Sequence, residues 1–119
     1  MKLFDFSNAV GRQLTLFDSE NSIYTPILTQ DRGLKVSCMH VGPKGVIGFH
    51  QATIDQLFLV VQGEGWVRGE ENERTPIQPG TAAFWTAGEW HESGSDKGMM
   101  AIVIEAKRLE PERYLPMLD

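Results

Sequence analysis

The sequence is poor in cysteine and in clustered basic charge. Its single cysteine, Cys38, cannot form an intrachain disulfide. Because Cys38 alternates with the apolar residues Leu34 and Val36, we interpret it as a small buried side chain rather than a nucleophile. The 11 basic residues are outnumbered by 16 acidic ones, whereas nucleic-acid-binding proteins usually show a clustered basic surface. The composition therefore argues against a nucleic-acid partner.

Long apolar runs are also missing from the sequence. No run approaches the roughly 20 residues that a membrane-spanning helix needs. The N-terminal stretch carries Asp5 among its apolar residues, so it lacks the apolar segment of a signal peptide. We expect no membrane association and a cytoplasmic location.

Glycine and proline, by contrast, are frequent and separate short apolar runs. The 12 glycines and 6 prolines fall between segments of strand length, and no long helical pattern stands out. Such a chain is typical of an antiparallel sandwich or barrel. Periodicity alone leaves the jelly roll, the immunoglobulin-like sandwich and the OB barrel open. The predicted strands cover residues 13–17, 24–29, 34–41, 57–61, 66–68, 82–85 and 99–104.

Two of these strands carry further expectations. In residues 34–41, Val36 and Cys38 share one face and polar residues stand between them, which indicates a half-buried strand. The Gly-Pro-Lys-Gly sequence at residues 42–45 predicts a turn after it. Residues 57–61 are apolar without interruption, so we expect both faces of that strand to be covered.

The segment from Gly45 to Gly63 resembles the first sequence motif of the cupins. In that motif a glycine precedes His-x-His, a glutamate and a second glycine. His50 matches the first histidine, and Gly63 stands at the family's spacing. Ala52 replaces the second histidine and Gln56 replaces the glutamate. The first motif is therefore only partly retained.

The segment from Gly80 to Ser95 resembles the second cupin motif. Gly88 and His91 match it, whereas Thr86 stands where a proline is usual. Ser95 takes a position where asparagine is common. The two motifs occur in the expected order, and together they identify the chain as similar to the cupin superfamily.

The resemblance implies an all-β fold, an antiparallel jelly-roll β-barrel, with residues 1–119 forming a single cupin domain. Residues 1–33 would supply lead-in strands, residues 34–106 the barrel that carries the motifs, and residues 107–119 a C-terminal tail. Many cupins of this kind are homodimers whose barrels exchange or pair edge strands. We therefore expect a homodimer, which would also cover the edges of the apolar strands.

The resemblance also directs attention to a metal site. Cupins that match both motifs hold one divalent metal with three histidines and a glutamate, and imidazole and carboxylate suit Mn, Fe, Ni and Zn. In this chain His50, Gln56 and His91 are the candidate metal ligands. Losing one imidazole and one negative charge predicts weak or absent binding. A single Mn, Fe, Ni or Zn ion and no cofactor at all are equally compatible with the sequence.

The same positions are candidate ligand-binding residues. Alternation along the strand directs Gln56 and Phe58 inward with His50, and Trp85 and Trp90 lie within the segment of the second motif. We expect these aromatic side chains to line a mostly apolar cavity. The predicted ligand-binding residues are His50, Gln56, Phe58, Trp85, Trp90 and His91.

Three functions are compatible with this pattern. The first is a small-molecule-binding barrel in which His50, Gln56 and His91 orient the ligand. The second is a metal-dependent dioxygenase, decarboxylase or isomerase that acts on a small organic acid or phenol. The third is a structural or regulatory dimer without a ligand. The sequence leaves open whether the protein is an enzyme, and it does not name a substrate.

Overall fold

The chain folds almost wholly into antiparallel strands. The computed structural model describes residues 1–118. Within them, three short 3-10 turns occur at Asn8–Val10, Leu16–Asp18 and Pro111–Arg113. The nine strands of the described chain are β1 (Arg12–Gln13), β2 (Glu20–Thr29), β3 (Lys35–Gln51), β4 (Asp55–Gly63), β5 (Gly65–Arg68), β6 (Thr75–Ile77), β7 (Ala82–Trp85), β8 (Trp90–Ser95) and β9 (Met99–Ala106).

The strands form one sheet that curls into a nearly closed barrel. Their order is β6-β5-β8-β3-β9-β4-β7, and β2 pairs with β3 while β1 pairs with β2. All of the recorded strand pairs are antiparallel. The predicted all-β antiparallel barrel is confirmed. Among residues 1–118, no helix is long and apolar enough to cross a membrane.

The long strand β3 links the two halves of the barrel. Its first part pairs with β9 up to Val41, and its second part pairs with β8 from Gly45 onward. The turn predicted at residues 42–45 is wrong, because the strand continues through this stretch while it exchanges partners. Lys44, with φ of 59°, marks the irregularity at the exchange.

Strand β4 has one buried face and one partly exposed face. Phe58 and Val60 are buried in the core, whereas Leu57 and Leu59 are only partly buried and Val61 is 46% exposed. The expectation that both faces are covered is therefore wrong. A continuous apolar run does not distinguish a doubly covered strand from one whose outer face is apolar.

Cys38 is fully buried, and its burial raises the pKa of the thiol, which agrees with its interpretation as a small buried side chain. The neighbouring polar residues, however, occupy the inner face of β3, where Lys35 and Ser37 line the interior cavity. Cys38 consequently lies on the outer side of the strand. Its Sγ is 3.5 Å from Nε2 of His40, which is 3.1 Å from the carbonyl oxygen of Phe6. The N-terminal segment thus helps to cover this side.

Candidate functional site

A cavity of about 340 Å³ opens into the barrel. Its volume lies at the lower end of the range for small-molecule sites, roughly 300 to 1,000 Å³. Among the predicted ligand-binding residues, Trp90 does not line it. The predicted residues that do line it are His50, Gln56, Phe58, Trp85 and His91.

Two histidines face each other across neighbouring strands. His50 on β3 is directly opposite His91 on β8, and their ring centroids are 4.3 Å apart. Nδ1 of His50 is 2.7 Å from the Gly48 carbonyl oxygen, and Nδ1 of His91 is 3.3 Å from the Glu89 carbonyl oxygen. Because a carbonyl oxygen only accepts, each Nδ1 is the donor, and Nε2 keeps its lone pair whenever the ring carries a single proton. That lone pair can accept a hydrogen bond or bind a metal.

His91 is neutral at pH 7. Burial, with a smaller contribution from the charge of His50, lowers the pKa of His91 from 6.5 to about 4. Only 3% of its surface is exposed. His91 therefore presents an acceptor to the cavity over the physiological pH range.

Aromatic rings stack on both histidines. Phe17 lies parallel to His50, with centroids 3.9 Å apart, and Trp85 lies nearly parallel to His91, with centroids 4.1 Å apart. We call the four residues Phe17, His50, His91 and Trp85 the histidine wall. Stacking on both outer sides restricts the orientation of the two imidazoles.

Phe17 belongs to the lead-in segment and was not among the predicted site residues. It lies in the turn Leu16–Asp18 with φ of 61°, which is uncommon for a residue other than glycine. The turn rests on Gly48 of β3, where a Cβ atom would collide with the Phe17 carbonyl. The backbone N–H of Gly48 also donates to Oγ of Ser19 at 3.1 Å. A glycine inside a strand, which often marks a close backbone approach, was the signal available in the sequence.

Charged residues occupy a different wall of the cavity. Lys35 on β3, Glu105 on β9 and Gln56 on β4 are direct neighbours in the ladder, and all three line the cavity. Nε2 of Gln56 donates to Oε1 of Glu105 at 3.0 Å, and Nζ of Lys35 lies 3.9 Å from Oε2 of Glu105. We call these three residues the charged row. A hydrogen bond to Tyr24, with a smaller contribution from Glu105, raises the pKa of Lys35 and keeps it charged.

Glu105 was also absent from the predicted site, although the pattern of β9 contains it. Met99, Ala101 and Val103 are buried on the inner face of this strand. Glu105 continues the same alternation at the end of the strand. The strand predicted from the apolar run ends at Ile104 and therefore excludes Glu105, the next inward-facing position.

The residues at this site do not fit the complete metal shell implied by the cupin motifs. In the part of the chain that the structure describes, no group of three or more His, Cys, Asp or Glu side chains is arranged to hold a metal ion. The donor set consists of His50, His91 and the neutral amide of Gln56. Ala52, at the position of the missing histidine, packs into the apolar core.

Comparison with solved structures identifies the architecture. A cupin-like protein from Thermotoga maritima superposes with a TM-score of 0.73 at 14% identity, over 90% of this chain and 82% of that one. A predicted oxalate decarboxylase from Thermotoga maritima gives a TM-score of 0.72 at 14% identity, over 87% and 98%. The polyketide cyclase RemF from Streptomyces resistomycificus gives 0.73 at 15% identity, over 90% and 81%.

This chain has the cupin fold. No family model matches the sequence, and no curated protein is similar to it. Identities this low show the cupin fold and leave the activity to be argued from the site itself.

The remaining cupin-motif positions have structural contacts. Oγ of Ser95 donates to the Glu64 carbonyl and accepts from the N–H of Gly98. Gly63 adopts a φ of 78° where the backbone passes close to Gly98, a conformation that favours glycine. These contacts stabilise turns of the barrel, and none of the four residues lines the cavity.

Asp55 and Trp90 point away from the cavity. Asp55 accepts hydrogen bonds from the N–H groups of Ala87 and Leu109, both at 3.0 Å, and these bonds lower its pKa. Trp90 is 39% exposed and stacks on Phe49 at 5.3 Å. It differs from the expectation because it is adjacent to the inward-facing His91 and alternation turns it outward.

Proposed function

We propose that this cupin barrel binds a small organic molecule directly in its cavity, oriented by hydrogen bonds to His50, Gln56 and His91. The observation that carries the proposal is the orientation of the two imidazoles. Each Nδ1 is tied to a backbone carbonyl, so each Nε2 is available to a ligand. Phe58 and Trp85 supply apolar lining beside them.

Chemical complementarity supports direct binding. The neutral imidazole of His91 accepts a hydrogen bond from a ligand hydroxyl or amine group, and the loss of water in a partly apolar cavity strengthens that bond. Aromatic rings at Phe17, Phe58 and Trp85 offer flat surfaces to a planar ligand. The size of the cavity suits a compact molecule rather than a polymer.

A metal-dependent enzyme is the alternative. It is favoured by the second contact of each histidine, because metal-bound histidines usually donate their other ring N–H to a carbonyl or carboxylate. Two structural neighbours are named as a predicted decarboxylase and a cyclase. In such an enzyme His50, His91 and Gln56 would hold Mn, Fe, Ni or Zn and the ion would polarise the substrate. Gln56 and Ala52 weigh against tight binding.

Elemental analysis of protein purified without an affinity tag separates the two functions. The proposal predicts far less than one equivalent of Mn, Fe, Ni or Zn per chain, and a thermal-shift increase with some small acids, sugars or phenols. That increase should be lost in His91→Ala and in His50→Ala. Near-stoichiometric metal that disappears in His91→Ala would contradict direct binding and support the enzyme.

We also propose that a second copy of the chain covers the outer face of the sheet. Val36, Ile104, Leu57 and Phe84 form one row across β3, β9, β4 and β7, and all four are partly exposed. An apolar row of this kind is typical of an interface. Sizing chromatography should show a dimer that Ile104→Glu dissociates, and a monomeric wild-type protein would contradict the proposal. The cytoplasmic location and the absence of a nucleic-acid partner stay predictions.

A further inference from the structure

Glu105 has unused capacity to accept hydrogen bonds inside the cavity. Its carboxylate accepts one bond, from Gln56, although an ionised carboxylate offers about four lone-pair sites. The ammonium of Lys35 lies 3.9 Å from Oε2, which is longer than the roughly 2.7 to 2.9 Å of a direct charged hydrogen bond. Oε2 can therefore accept a hydrogen bond from a donor group of a ligand.

The remaining polar groups of the cavity are also mainly acceptors. Nδ1 of His50 and Nδ1 of His91 each donate to a backbone carbonyl, so Nε2 is the nitrogen of each ring that is left to accept a hydrogen bond from a ligand. Ser37 and Ser93 are buried cavity residues whose hydroxyls can either donate or accept. The main fixed donors are the ammonium of Lys35, which already lies near Glu105 and the ring of Tyr24, and the amide of Gln56, which already donates to Glu105.

This excess of hydrogen-bond acceptors over donors in the cavity should favour some classes of ligand over others. A ligand with hydroxyl groups supplies the donors that the cavity lacks. A carboxylic acid, which is ionised at pH 7, would instead place a second negative charge beside Glu105 and several lone pairs against lone pairs. A site built for one pattern of donors discriminates strongly against the opposite pattern, because its buried polar groups are left unpaired.

We infer that the charged row, Lys35, Gln56 and Glu105, is a second polar subsite that accepts hydrogen bonds from ligand hydroxyls. It makes the cavity selective for hydroxylated aromatic compounds over aromatic carboxylic acids. One hydroxyl would donate to the histidine pair and another to Glu105, with the ring against Trp85 and Phe58. This inference rests on the proposed function, namely that the cavity binds a small molecule directly.

Two probes with the same ring test the selectivity. Resorcinol carries two hydroxyls and benzoate carries one carboxylate, and both are titrated calorimetrically into the chelator-treated 119-residue chain. We expect resorcinol to bind at least about tenfold more tightly than benzoate, since a lost hydrogen bond to a charged group typically costs about tenfold or more. Glu105→Gln keeps the side-chain shape and removes the charge. This substitution should reduce the affinity for resorcinol about tenfold and narrow the preference for resorcinol over benzoate.

Control variants separate the subsite from general effects. Glu112→Gln removes one charge from the exposed C-terminal tail and should leave both affinities unchanged. Glu105→Asp keeps the charge but withdraws it by one methylene, so it should weaken resorcinol binding less than Glu105→Gln. Circular dichroism checks that each variant is folded. If Glu105→Gln does not fold, the resorcinol affinity of Glu105→Asp tests the subsite instead.

The outcomes distinguish this inference from the proposed function. Tighter binding of benzoate, or an unchanged resorcinol affinity in both folded Glu105 variants, would overturn the subsite. So would failure of both probes when a sugar or a non-aromatic acid stabilises the protein in the thermal-shift screen; the proposed function would then stand. No binding by any probe would overturn both.

Discussion

The histidine wall and the charged row differ in charge and in origin, although they border the same cavity. The histidine wall is neutral at His91 and is flanked by the rings of Phe17 and Trp85. The charged row places a cation and an anion side by side at Lys35 and Glu105. The carboxylate of this cavity thus stands at Glu105, away from the histidine pair.

This difference in charge shows how the site departs from a complete cupin metal shell. Where the cupin motif has its glutamate, this chain has Gln56, and Gln56 donates to Glu105 on the adjacent strand. A negative charge is therefore present in the cavity without joining the two histidines in a cluster that could hold a metal. In this position the carboxylate is suited to meeting a ligand directly.

Replacing Gly48 should disrupt the histidine wall most strongly. In Gly48→Ala the new Cβ collides with the Phe17 carbonyl, so the turn Leu16–Asp18 must leave β3 and Phe17 must leave His50. We expect a loss of about 3 to 4 kcal/mol in the free energy of unfolding, in the range of severe backbone and packing changes. Urea unfolding measures it.

Gly69→Ala is the matched control for that experiment. Its added Cβ would lie 3.8 Å from the Trp90 carbonyl oxygen, an ordinary contact. It should change stability by less than about 0.5 kcal/mol. Equal destabilisation by the two variants would contradict the conclusion that Gly48 lets the turn Leu16–Asp18 pack closely against β3.

The pH dependence of stability should report on His91. The folded protein holds the pKa of His91 at about 4, below the ordinary 6.5. Between these values the unfolded chain binds a proton that the folded chain does not, so the free energy of unfolding falls as the pH falls. The loss is complete below the lower value and amounts to at most about 3 kcal/mol.

Comparison with His91→Gln isolates this contribution, because carboxylates also titrate in the same window. The difference in unfolding free energy between wild type and variant should change between pH 6.5 and pH 4 and stay constant above pH 7. A difference that is independent of pH would show that His91 is not held neutral by burial.

The charged row should contribute little to stability. Lys35 is partly exposed and its contact with Glu105 is long, and ion pairs of this kind contribute about 0 to 1 kcal/mol. We expect Lys35→Met to change the free energy of unfolding by less than about 1 kcal/mol. Lys97→Met, which removes the exposed pair with Glu64, is the control. If Lys35→Met alone lowers the free energy of unfolding by about 2 kcal/mol or more, the charged row stabilises the fold and this prediction is wrong.

The sequence predicted the parts of this molecule that depend on local spacing. The antiparallel all-β class, the strand at Met99 and the inward direction of Phe58 follow from alternation and from glycine-bounded runs, whereas the choice of a barrel came from the cupin resemblance. His50 and His91 were found because the cupin motifs preserve their spacing from Gly63 and Gly88. The structure confirms the fold, and it brings both histidines to one cavity.

The parts that were missed depend on contacts between distant segments. Phe17 contacts His50 only because the left-handed residues Phe17 and Asp18 turn the chain and Gly48 lets this turn approach β3 closely. Lys35 and Glu105 meet through the register of β3 and β9, which short-range patterns do not encode. The prediction for Trp90 rested on its position beside His91 in the sequence. Alternation along β8 turns the side chain of Trp90 to the opposite face.

The most direct measurement of the central claim is the calorimetric affinity for resorcinol with and without metal. Protein is first stripped with a chelator and titrated, and then titrated again after Mn, Ni or Zn is added. Because the cavity's own side chains hold the ligand, we predict the same Kd within about threefold in both titrations. Binding that appears only when the metal is present would contradict the account.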